Sequence, residues 1–213
     1  SHHIGQHLPG GPSRSACLRV FASRASTGVR GIKLGEKDQV VSMAVLKNAP
    51  FSAEDKETYL KASRKKRAGE SFEEELAHAE LSLEKFQAME ETEQYILSIT
   101  EKGYGKRTSS FEFRETNRGT QGIFNMDVTP KTGNIVASFP VETEDELMII
   151  TNQGQLIRSR IEEIRIAGRR TQGVRLLRLD DDSKISSVTK VIKDEEDNDS
   201  PSTNPEDTRT PEE

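Results

Sequence analysis

The sequence predicts an all-β, propeller-like fold: repeats of about 50 residues with four strands per blade, an incomplete ring of them, and an α-helical hairpin insert. Three alignments within the chain carry this reading. "ILSITEKGYGKRTSSFEF" (96–113) matches "LMIITNQGQLIRSRIEEI" (147–164) at a shift of 51 residues, placing Ile99 on Ile150, Thr100 on Thr151, Gly103 on Gly154 and Arg107 on Arg158. The same shift continued downstream lays "RGTQGIF" over "RRTQGVR", with Gly122 on Gly173. A third copy, "STGVRGIKLGEKDQVVSMAV" (26–45), parallels "TQGVRLLRLDDDSKISSVTKV" (171–191). Gly28 precedes Gly122 by 94 residues, or by 49 once the 45 residues of 48–92 are set aside.

In chain order, residues 1–16 have no strand periodicity and read as an unstructured or non-native start, and 17–47 read as a partial blade. The stretch 48–92 has a different grammar and reads as the helical insert. Ser52 is placed to cap a short helix that ends near "RKKRAG" with Gly69 as its C-terminal cap. Ser71 with Glu74 spells a capping box, followed by Phe72, Leu76, Ala79, Leu83 and Phe86 at helical spacing. Residues 93–141 and 142–193 are the second and third blades. In the latter, strands are expected over 146–151, 155–160, 174–179 and 184–191, separated by "NQG", "GRRTQG" and "DDDS". Alternation over 155–160 turns Ile157 and Ser159 one way, Arg158 and Arg160 the other. Residues 194–213 carry 9 acidic residues against 1 Arg, an acidic disordered tail. So few blades cannot close a ring, and the chain is expected to be a fragment of a longer protein.

Composition narrows the function. A chain with 32% hydrophobic residues and no Trp has a thin core for its length. The single cysteine, Cys17, excludes an internal disulfide, and no apolar run approaches the roughly 20 residues of a membrane span. These features read as soluble and intracellular. His2, His3, His7 and His78 are scattered and read as surface histidines rather than a metal site, and no nucleophile sits beside a base. The net charge of −5 conceals segregation: Lys/Arg against Asp/Glu number 7 to 2 over 1–47, 7 to 11 over 48–92, 16 to 14 over 93–193 and 1 to 9 over 194–213. Without insert and tail the chain is basic, so its acidic pI does not exclude a polyanionic partner.

The recurring loop carries that basicity. Arg24, Arg118, Arg169 and Arg170 stand in its copies, and Arg30, Lys106, Arg107, Arg114, Arg158, Arg160 and Arg175 stand on nearby strands and turns. Cations repeated blade by blade would form a curved track for a duplex DNA backbone, since guanidinium groups meet phosphates bidentately. Aromatic residues, at 5%, are too few to favour stacking on single strands. A protein-binding propeller and plain solvated charge are the competing readings, the latter because edge strands use charge against aggregation. The cluster Arg64 to Arg67 reads mainly as a complement to its helix's negative end.

"TEKGYGKRTSSFEFR", "ELMIITNQGQLIRSR", "GRRTQGVRLLRL" and "STGVRGIKLGEKDQVVSM" together resemble the C-terminal domain of the DNA gyrase A subunit, over roughly 20–47 and 93–192. The helical insert resembles alphaproteobacterial versions of that subunit. The resemblance implies a β-pinwheel, in which strands pass between blades and a basic perimeter wraps DNA in support of ATP-dependent negative supercoiling. It implies DNA contact for the cations named above. As partners it implies duplex DNA, the gyrase B subunit plus a second A subunit, in a cytoplasmic setting. It places ATP and Mg on the B subunit, with no cofactor and no catalytic residue in this chain. The cleaving tyrosine belongs to a region absent here, so Tyr59, Tyr95 and Tyr104 do not inherit that role. The family's Gln-Arg-Arg-Gly-Gly-Lys-Gly box is also missing; "GRRTQG" and "NRGTQG" are at best degenerate counterparts. The topoisomerase IV A subunit, with the same domain fold, is the nearest alternative.

Overall fold

The computed structural model describes residues 3–4, 24–28, 30–36, 38–114, 122–180 and 182–191. In chain order the described elements are β1 (His3–Ile4), α1 (Ala53–Ala68), α2 (Glu73–His78), α3 (Leu83–Thr92), β2 (Tyr95–Thr100), β3 (Tyr104–Ser109), β4 (Ile123–Phe124), β5 (Ile135–Val141), β6 (Glu146–Thr151), β7 (Leu156–Arg160), β8 (Val174–Arg175) and β9 (Ile185–Val191). Short 3₁₀ turns, Ser110–Glu112 and Ile161–Glu163, follow β3 and β7.

The 51-residue repeat is visible in the hydrogen bonding. β2 lies between β3 and β5, and β6 lies between β7 and β9, all antiparallel. Both central strands carry a register shift at the same repeat position, Ile99/Thr100 and Ile150/Thr151. The third strand of each repeat is short and leaves its own sheet. β8 pairs with β3 of the preceding repeat, Tyr104 opposite Arg175 and Gly105 opposite Val174. Where six residues were expected as strand from Val174, only two are, because Leu176 and Leu177 turn in to bond the Gly103 carbonyl. β4, the counterpart of β8, pairs with β1, so part of the stretch expected to be unstructured forms a strand.

The two repeats share one core. Leu97 and Ile99 of β2 and Val141 of β5 pack with Leu147, Ile149, Ile161, Ile164 and Ile185 of the next repeat. A single four-stranded sheet could not bury both faces, so this junction holds the two together. Residues 38–50 form no helix or strand. Leu46 docks against Ile96 and Phe113 and Ala49 against the helical core, whereas Met43 and Val45 are left 92% and 79% exposed.

The insert holds three helices rather than a hairpin. Ser52 and Asp55 form a reciprocal capping box on α1, and Gly69 ends it at φ 75°. That helix, at 16 residues, is the longest of the three rather than a short one. The second predicted helix breaks at Glu80, whose φ is 52°, and Ser82 caps a new one by accepting from the Lys85 N–H at 3.2 Å. The break turns Leu81 inward, and Leu83 is pushed out to 54% exposure. Ser71 does not cap; its hydroxyl bonds the Glu73 carboxylate. Tyr59, Leu76, Leu81, Phe86 and Met89 close a small core over Phe111 of the first 3₁₀ turn. Tyr59 and Tyr95 both donate to the Glu93 carboxylate, at 2.9 and 2.5 Å, fastening the helices to β2. Burial, and then the Glu93 charge, raises both phenols' pKa, so both stay protonated donors.

Candidate nucleic-acid interface

β3 reads "YGKRTS", a polar strand by composition, and every residue in it is buried. The cover is the segment that leads from β7 to β8. The Arg107 N–H donates to the Arg165 carbonyl at 3.0 Å, the Ala167 N–H to the Arg107 carbonyl at 2.8 Å, and the Thr108 hydroxyl to the Ala167 carbonyl at 3.0 Å. Close approach needs glycine at two points. A Cβ on Gly105 would lie 2.5 Å from Leu176, and one on Gly173, already at φ 75°, would lie 2.5 Å from the Gly105 carbonyl oxygen.

Two predicted DNA contacts are thereby removed from the surface. Lys106 is fully buried, and its ammonium donates to the carbonyls of Asn125 (2.9 Å), Gly168 (2.6 Å), Arg169 (2.9 Å) and Thr171 (3.1 Å). Desolvation pushes its pKa down to about 8; Glu112 and Asp127 oppose that fall and Arg169 adds to it. Arg107, 7% exposed, donates from Nε to the Ile164 carbonyl at 2.7 Å and from Nη2 to the Glu162 carbonyl at 3.2 Å, over the Tyr95 ring. Both cations hold the inter-repeat linker in place of phosphate, because the following repeat covers the strand that carries them.

The other predicted cations divide by what already holds them. Arg169 is half-buried: its N–H and side chain face the Glu112 carboxylate, and Nη1 donates to the Phe124 carbonyl at 3.0 Å. Arg175 donates to the Tyr104 hydroxyl at 2.9 Å, and Lys131 stands over the same ring, so two cations flank one phenol. The Arg175 hydrogen bond is the main reason the Tyr104 pKa is lowered. Arg158 and Arg160 project from the open side of β7 and pair with Glu146 and Glu162. Arg24, Arg30, Arg114 and Arg170 are exposed and meet no partner among the described residues. Arg118 lies outside the described residues.

Two exposed arginines outside the insert escaped the sequence reading, Arg165 and Arg178, neither with a described side-chain partner. Arg165 stands 51 residues after Arg114, and each follows the buried residue after a 3₁₀ turn, Ile164 and Phe113. The repeat shift would have found Arg165. No comparable signal marks Arg178, whose repeat counterpart is Asp127. In the insert, Lys65 and Lys66 pair with Glu75 and Glu90, and Arg67 donates to Ser63, so of that cluster only Arg64 has no described partner.

Matching regions are found among known proteins. The model of a family described as the DNA gyrase C-terminal domain, a beta-propeller, matches residues 19–47, 94–142 and 145–192. The chain belongs to the DNA gyrase C-terminal domain family. The family's match is interrupted at the helices and resumes at β2. A curated DNA gyrase A subunit from Rickettsia bellii is 46% identical over 185 residues, covering 85% of this chain and 20% of that protein. One from Granulibacter bethesdensis is 39% identical, covering 84% of this chain and 21% of the relative. The chain thus spans about a fifth of the length of these relatives. A solved structure of a DNA gyrase A C-terminal domain is 28% identical, with a TM-score of 0.44 over 46% of this chain and 33% of that one. Membership in this gyrase domain family accords with the all-β propeller architecture, here seen as open antiparallel sheets with helices between. No described helix is long and apolar enough to cross a membrane.

Proposed function

We propose that this chain is a DNA-binding and DNA-wrapping portion of a gyrase A subunit, one that contacts duplex phosphates without reading bases. The observation that carries this reading is the recurrence of exposed arginines without a side-chain partner among the described residues at equivalent repeat positions, Arg114 with Arg165, together with Arg170 in the loop that follows. Electrostatic contact spread over a repeat array suits a bent polyanion, with sequence preference arising from bendability. Arg24, Arg30, Arg158, Arg160, Arg169, Arg175 and, beyond the described residues, Arg118 complete the proposed surface. Lys106 and Arg107 are left out of the proposed surface because both are buried.

In the whole protein this surface would hold a duplex segment for passage. Its partners there would be a second A subunit plus the B subunit, in the cytoplasm. The B subunit would supply ATP hydrolysis and its Mg; this chain would contribute no catalytic group. The test is duplex affinity against salt for the chain and for an R114E/R165E/R170E variant. The log-log slope is expected to flatten by about 0.9 for each phosphate lost. A slope identical in both proteins would falsify the reading.

A further inference from the structure

We propose that residues 168–172 form a backbone phosphate cradle, with Lys106 as its positioning residue; the phosphodiester assignment rests on the DNA reading above. In a trans peptide the carbonyl and the following N–H point in opposite directions. The carbonyls of Gly168, Arg169 and Thr171 all converge on the Lys106 ammonium inside the protein. The N–H groups of Arg169, Arg170 and Gln172 are therefore turned away from the ammonium. One of the three already holds an anion: the Arg169 N–H donates to the Glu112 carboxylate at 2.8 Å. The N–H groups of Arg170 and Gln172 donate to no described residue, and the exposed Arg170 side chain stands beside them. Two unpartnered amides on the same short loop, next to an exposed guanidinium, are donors suited to a phosphate oxygen.

The buried cation explains the arrangement. The Gly168 carbonyl also accepts from the Thr171 hydroxyl and the Thr171 carbonyl from the Asp127 N–H, but without the ammonium the inward Arg169 carbonyl would meet no described donor, and buried acceptors need donors. Lys106 supplies the Arg169 carbonyl's donor and a further one to each of the other two, and the price of carbonyls facing the ammonium is amides facing away from it. The next repeat has Ile157 at the position of Lys106, so the device belongs to this repeat and is absent from its successor.

The experiment follows the amide signals of Arg170 and Gln172 by NMR in the full 213-residue chain, titrated in parallel with inorganic phosphate and with a short duplex. Both amides are expected to shift with both probes. In K106M those shifts should vanish and the salt slope for duplex should fall by about 0.9, one phosphate. R170A added to K106M should then change the slope no further, because both act on the same contact. Amides that move with neither probe overturn the cradle. Shifts that persist in folded K106M overturn the role of Lys106. If K106M does not fold, hydrogen-bond couplings from the Lys106 ammonium to the Gly168 and Arg169 carbonyls in the unmodified chain decide the matter, and their absence overturns it. A chain whose amides respond to inorganic phosphate while no duplex binds keeps the cradle and sinks the DNA assignment.

Discussion

β3 and β7 hold the same place in consecutive repeats, 51 residues apart, and their surroundings differ completely. β3 is buried along its whole length, Lys106 included, whereas β7 alternates between half-buried and exposed, with Leu156 at 62%. Both pair on one side with their own central strand. On its other side β3 receives β8 and the linker before it, while β7 receives no strand among the described residues. The residues have diverged to match. Gly105 admits the crossing chain where Leu156 would obstruct it, and Lys106 collects carbonyls where Ile157 joins the shared core. Polarity therefore marks different things in the two strands: in β3 it serves an internal junction, in β7 the solvent.

Exchanging residues between the strands tests this contrast. The largest effect is expected from G105L, which sets a side chain 2.5 Å from Leu176 and 3.1 Å from the Ser98 carbonyl oxygen. Overpacking there should cost about 3 kcal/mol or more in chemical denaturation, whereas the reciprocal L156G should cost about 1 kcal/mol. K106M comes next, at about 2 to 3 kcal/mol, from carbonyls left without donors. Its denaturation midpoint should fall further than that of I157M, which keeps an apolar side chain of similar size. R107A should destabilise by about 2 kcal/mol through two lost charged hydrogen bonds. R158A, whose side chain is 62% exposed, should stay within about 1 kcal/mol. Equal losses for the two arginines in thermal melts would break the contrast.

A separate test is a pH slope. The folded Lys106 pKa of about 8 lies below the ordinary lysine value of 10.5, so between those pH values the unfolded chain binds more protons. This group's contribution to stability therefore rises with pH across that window and is flat below it. K106M should remove this slope, as followed by denaturant midpoints at pH values of about 7.5, 9 and 10.5, which bracket the window.

Much of the framework was legible because repetition leaves a fixed shift in the sequence. Ile99 with Ile150 and Gly122 with Gly173 located the central strands and the tight loops; both glycines adopt a positive φ, at 81° and 75°. The break at Glu80 was not legible, since Phe72, Leu76 and Phe86 keep helical spacing straight through it. The candidate surface was legible in part. Arg114 and Arg170 are exposed as expected, while Arg107 looked equivalent to Arg158 because alignment compares residues and not what covers them.

The sequence by itself determined the period, the apolar content that makes β2 and β6 central strands, and the caps that start α1 and end it at Gly69. Those features depend on neighbours a few residues away or on exact repetition. Only the tertiary structure decided which cations face solvent. Lys106 and Arg107 meet partners up to 65 residues further along the chain, and a charge is buried or free according to where those distant carbonyls arrive.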